Sequence, residues 1–249
     1  MRTIVVLILI LSTSLLSQEI PPLPSININI GETNNPRSLV VTLEILLILT
    51  VLTLAPSILV LFTSFTRIIV VFSFLRNGLG TRMTPPNQVL IGLALFLTFL
   101  IMQPVWNDIY NNAITPYMNG DIGYEEMFSR TMNRVRVFMK GEIINHHNED
   151  DVFLIANSVG IDLKKVDDAP NSVLIPAFIM SELEISFKMG VLLYIPFIVV
   201  DMIVASILLA MGMIMIPPIF VSLPFKVLMF VMVNGWDLVI SGLIKCFVR

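Results

Sequence analysis

The chain has 249 residues, 56% of them apolar and only 13% charged, with a mean hydropathy of +0.88. Soluble domains carry about 25% charged residues, so this composition cannot cover a water-facing surface and marks a membrane-associated protein. A net charge of −3 excludes nucleic acid as a partner, and a single cysteine, Cys246, excludes a disulfide framework or a multi-cysteine metal site.

Charge is concentrated in one place. Eleven of the 18 acidic residues, six of the 15 basic ones and both histidines fall between residues 107 and 172. The chain therefore divides into apolar blocks flanking a polar insert.

Residues 1–17 start with Arg2, continue through an apolar run at 4–11 and end in small polar residues. That layout predicts a secretory signal peptide, whose apolar core is too short to span a bilayer. An uncleaved anchor helix is the alternative. Residues 18–38 hold several prolines and an Ile-Asn alternation at 26–30, predicting an extended tail.

Residues 39–106 contain two apolar helices, 39–62 and 88–106. Between them the stretch 64–87 carries Arg67, Arg76 and Arg82 with no acid, and contains Gly78, Gly80, Pro85 and Pro86. It reads as a basic loop on the cytoplasmic side, which places the acidic insert outside. Residues 107–180 form that insert. The apolar positions Met127, Met132, Val135 and Phe138, alternating with Arg130, Arg134 and Arg136, predict an amphipathic helix over 124–140, capped by Asp121. A shorter helix follows over 151–163. His146 and His147 are adjacent in sequence, cannot easily face a common ion, and read as a solvated loop.

Residues 181–249 hold two further apolar blocks. Ser181 and Glu184 have the spacing of a capping box, so a helix is expected to start near Ser181. The apolar block 189–225 is broken at Pro196 and Pro217-Pro218, and 227–244 completes the set. Glu44, Asp201, Lys226 and Asp237 interrupt apolar blocks. Each would cost about 2.5–3.5 kcal/mol at a bilayer centre, so such residues face partners, water or an interface. If Pro217-Pro218 is the hairpin turn, Asp201 and Lys226 lie 16 and 8 residues from it. A straight pair would then miss by about 12 Å, which disfavours pairing within one chain and leaves pairing between copies. Met211, Met213 and Met215 precede this proline pair, where the helix is expected to unwind into a loop. On residue type alone these methionines read as adaptable apolar filler. No nucleophile–base pair, phosphate loop or metal cluster emerges, so the residues themselves point to no catalytic site and no cofactor.

Several stretches resemble one family. They are Thr63-Ser-Phe-Thr-Arg-Ile-Ile-Val-Val-Phe72, Leu75-Arg-Asn-Gly-Leu-Gly80, Pro85-Pro-Asn-Gln-Val89, Pro176-Ala-Phe-Ile-Met-Ser-Glu-Leu183, Phe187-Lys-Met-Gly190, Met211-Gly-Met213 and Asn234-Gly-Trp236. Together they resemble the FliP family of flagellar type III export-gate proteins, related to the injectisome component SctR. The resemblance runs in order from about residue 39 to 243.

It implies an all-α fold of membrane-derived, kinked helical hairpins, about four hydrophobic helices with a small helical external insert. It also implies a homo-oligomer, a pentamer, that would assemble with FliR and FliQ around an export channel for unfolded flagellar subunits. Other basal-body proteins and membrane lipid would be its surroundings, at the bacterial inner membrane with much of the complex external. By the same resemblance Met211, Met213 and Met215 would form a gasket closing the channel. Asp201, Lys226 and Arg136 would serve contacts between subunits. The competing reading is a small-molecule or ion transporter with Asp201 and Lys226 in its pathway.

Overall fold

The computed structural model describes residues 36–81 and 83–247, and every regular element among them is helical. The expected signal peptide and the extended tail up to residue 35 lie outside the described residues. Residues 36–38 belong instead to a helix. The chain divides into residues 1–50 and residues 51–249, and the division falls inside α1 (Pro36–Phe62). In the first unit Leu43, Leu46, Leu47 and Leu49 of α1 are exposed.

In the second unit α2 (Phe65–Leu79) is the hub. Ile68, Val71, Phe72, Leu75 and Leu79 recur at helical spacing and are buried. Its partner is α8 (Asn171–Ala210), a single helix of 40 residues, about 60 Å long. The two run parallel, because Arg67, Phe74 and Gly78 meet Glu182, Gly190 and Phe197 in turn. Their approach depends on missing side chains. A Cβ on Gly78 would stand 2.6 Å from the Phe197 ring, and one on Gly190 would stand 2.5 Å from the Phe74 ring.

The basic-loop expectation for residues 64–87 is thereby corrected. Only the stretch after Gly80, which adopts the left-handed conformation (φ +77°), leaves the helix. Arg67 belongs to the packed helix, and its charge does not count toward a loop bias.

Helix α3 (Asn87–Ile101) lays Leu90, Ala94 and Leu97 on the same core. After a break at Met102 the chain bends by 56° into α4 (Gln103–Ile109), a π-helical turn at Tyr110–Ile114 and α5 (Thr115–Met118). The insert helices α6 (Tyr124–Asn145) and α7 (Glu149–Ser158) pack on the first part of α8. Met139, Ile143, Val152, Ala156, Leu174 and Phe178 form this second core. Gly123, rather than Asp121, precedes α6.

Helix α8 also overturns the expected start at Ser181. It begins at Asn171, directly after Pro170. Pro176 lies in its second turn, where it removes a single backbone hydrogen bond, and does not end the helix. Ser181 is interior and caps nothing; its hydroxyl accepts from Asn148 Nδ2 at 2.9 Å. Glu184 pairs with Lys188 one turn on, at 2.7 Å.

The last block is split as well. Helices α9 (Pro218–Met232) and α10 (Gly235–Phe247) meet at a 62° bend. Asn234 turns there with φ +51°, Gly235 has no room for a Cβ against Phe230, and Trp236 packs edge-on to both Phe72 and Phe230. Asp237 falls in the first turn of α10, where a carboxylate complements the helix dipole. Helix α8 is long and apolar enough to cross a membrane by itself. The bent pairs α3 with residues 103–118, and α9 with α10, reach that length only together.

Candidate functional site

Three features of the second unit stand out once the helices are placed. The first is an ionic cluster that sequence reading missed. Arg67, on the buried side of α2, has no solvent exposure, and its guanidinium carries five N–H donors and no acceptor. All five are matched. Nε donates to Glu182 Oε2 at 2.9 Å, and Nη2 donates to Glu182 Oε1 and to Glu142 Oε2, the latter at 2.8 Å. Nη1 reaches His146 Nε2 at 3.1 Å and Cys246 Sγ at 3.3 Å. The Phe247 ring lies over the guanidinium, 3.8 Å from its carbon.

One arginine thus joins α2, α6, α8 and α10. Burial alone would lower its pKa, but Glu182 and Glu142 outweigh that and raise it. For Glu142 burial dominates over the opposing pull of Arg67, and its carboxyl is pushed up to about 7. His146 therefore does not sit in a solvated loop: it turns into the cluster, while His147 makes the left-handed turn beyond it (φ +58°). The only sequence signals were an arginine inside an apolar 3-4 repeat and a glutamate, Glu182, on an apolar helix.

The second feature joins Asp201 and Lys226. Lys226 Nζ donates to Asp201 Oδ2 at 2.6 Å and to the Gly78 carbonyl at 3.1 Å, while Ser222 donates to Asp201 Oδ1. The expectation against pairing within one chain fails for a geometric reason. The turn is not at Pro217-Pro218; helix α8 stops at Ala210, and residues 211–217 form the connection. Counted from the helix ends, Asp201 and Lys226 lie 9 and 8 residues away and face each other. Lys226 also meets the negative end of α2 through the Gly78 carbonyl. Arg136 likewise finds its partners within the chain, the Ala169 carbonyl at 2.7 Å and the Asn171 side chain.

The third feature is the loop itself. Gly212, at φ +75°, donates to the Leu209 carbonyl and Met213 to the Leu208 carbonyl. This double reversal ends α8 as a Schellman motif. The loop then presents its methionines unequally. Met211 and Met215 are 66% and 96% exposed. Met213 is only half-buried and, with Met211, lines an apolar groove of about 510 Å³ beside Val204, Leu208, Val221 and Phe225. No group of three or more His, Cys, Asp or Glu side chains able to hold a metal occurs among the described residues.

The profile of the FliP family matches residues 48–243, which takes in the second and third features and all of the first except Cys246 and Phe247. The chain belongs to the FliP family. It is 44% identical over 221 residues to the flagellar biosynthetic protein FliP of Bacillus subtilis (strain 168), covering 88% of this chain and 98% of that one. Its identity to the flagellar biosynthetic protein FliP of Aquifex aeolicus (strain VF5) is 45% over 243 residues, 96% and 97% of the two chains. The flagellar biosynthetic protein FliP of Borreliella burgdorferi (strain ATCC 35210 / DSM 4680 / CIP 102532 / B31) is 46% identical over 206 residues, 83% and 81% of the two chains. Family membership supplies the biological setting that the apolar helices alone do not.

Proposed function

We propose that this chain is a core component of the flagellar type III export gate, a non-enzymatic membrane protein of which several copies, a pentamer, enclose the path of unfolded subunits with FliQ and FliR. The observation that carries this reading is the family match across residues 48–243, together with full-length relatives named for flagellar biosynthesis. The assembly belongs at the bacterial inner membrane in the flagellar basal body, with much of the complex external.

The loop geometry supports a gating role. A Schellman-terminated helix end holds Met211–Met215 as a short apolar protrusion, and unbranched thioether side chains adapt to an irregular opening. A ring of such loops around one axis would exclude water and ions by dewetting and still yield to a passing polypeptide. Co-expression with FliQ and FliR tests the reading. The expected result is a large detergent-stable complex containing several copies of this chain, and flagellar export lost on deletion. A chain purified as a monomer or dimer from cells holding both partners would contradict it.

A further inference from the structure

We propose that the Arg67 cluster is a proton-binding site, in which one proton taken up between Glu142 and His146 completes the charge balance and fastens α6 and α10 to α2 and α8. The inference rests on the geometry and charge of the cluster and is independent of the channel reading.

The charge count decides it. Among the described residues, the titratable or charged groups facing Glu142 are Arg67 from α2, Glu182 from α8, His146 from the turn after α6, and Cys246 from α10 behind Arg67. A guanidinium only donates, so His146 Nε2, at 3.1 Å from Arg67 Nη1, is an acceptor there, and the ring carries its proton on Nδ1 and no charge. Among the described residues, one cation therefore faces two carboxylates. If both were ionised, the cluster would hold a net negative charge where Arg67 and Glu182 are sealed from water and Glu142 nearly so. A buried charge without a partner takes up a proton rather than persisting.

Glu142 is the carboxylate that yields. Glu182 receives two N–H groups from Arg67, and Glu142 receives one. Its Oε2 also lies 3.6 Å from His146 Nε2, so the proton has two neighbouring seats. In one, Glu142 is neutral and His146 accepts from Arg67. In the other, the imidazole is protonated and turns its Nε2–H toward Glu142. The rise of the Glu142 carboxyl to about 7, caused first by burial, points the same way. Because the folded state holds this proton more tightly than the unfolded chain, the associated stability is full below the ordinary carboxylate range. It is lost as pH rises through about 7.

Infrared difference spectra of the full chain in detergent, with ¹³C-labelled glutamate, between about pH 5 and about pH 8, test this. A protonated glutamate band should be present at the lower pH, vanish at the higher, and be missing in Glu142→Gln. The thermal midpoint of the wild type should fall across that range, and that of Glu142→Gln should stay level. His146→Gln, which keeps an acceptor but removes the second seat, should move the titration midpoint. A wild type with no titrating glutamate in this range overturns the proposal, as does a band that survives in Glu142→Gln. Should Glu142→Gln not fold, an unmoved midpoint in His146→Gln overturns it.

Discussion

Helix α8 ties two regions of opposite character to one rigid element. In its first half Glu182 helps enclose Arg67, whose every donor is matched inside the chain. At its far end the helix stops in a loop whose Met215 is 96% exposed although apolar. The cluster matches every Arg67 donor within a single copy, whereas the methionine loop leaves apolar surface that the described residues of one copy do not cover. Damage to the first should therefore cost folding, and damage to the second should cost function while the fold survives.

Arg67→Met breaks the comparison most severely. It leaves Glu182 and Glu142 without their shared cation, and removing one partner of a buried ion pair costs about 3–5 kcal/mol. The expected outcome is loss of monodisperse protein in size-exclusion chromatography, with recovery improved by combining Arg67→Met with Glu182→Gln. Gly190→Ala comes next. Its new Cβ would meet the Phe74 ring at 2.5 Å, and overpacking of this kind costs about 1–3 kcal/mol, readable as a lower thermal midpoint.

Asp201→Asn should cost less, about 1–2 kcal/mol. Asp201 is a third exposed, and Lys226 retains the Gly78 carbonyl. Because the pair closes within the chain, the variant should destabilise the protomer itself, measurable by denaturation of the detergent-solubilised chain. An unchanged protomer with a lost multimer would instead restore the contact between subunits that sequence reading expected. Met215→Ala sits at the small end, within about 0.5 kcal/mol of wild type in the protomer, as for an exposed side chain.

What the sequence made legible follows from the physics of each signal. The all-α class and the insert were readable because long apolar runs and a concentrated charge block are properties of composition. The loop at Met211–Met215 was readable because Ile216 precedes a proline. The partners of charged side chains were not. Arg67 read as a loop cation because the glycines and prolines that follow it suggested a break, when only the turn after Gly80 leaves the helix. Ser181 read as a cap because the capping-box spacing also occurs inside helices, and only the tertiary fold, with Asn148 against its hydroxyl, distinguishes the two. Asp201 and Lys226 read as misaligned because the turn was centred on the prolines rather than on the glycine reversal that ends α8. His146 reaches Arg67 across 79 positions of sequence, a distance at which no local pattern speaks.

The separation of a self-contained fold from an exposed loop that we propose as a gate is tested most directly by ion conductance of the reconstituted complex carrying Met211→Ala, Met213→Ala and Met215→Ala together. The account predicts a complex assembled in normal amount that leaks ions where the wild type is tight, since no buried charge is disturbed and only the loop's side chains are shortened. A triple variant that assembles normally and stays as tight as wild type would contradict it and reduce these methionines to packing material.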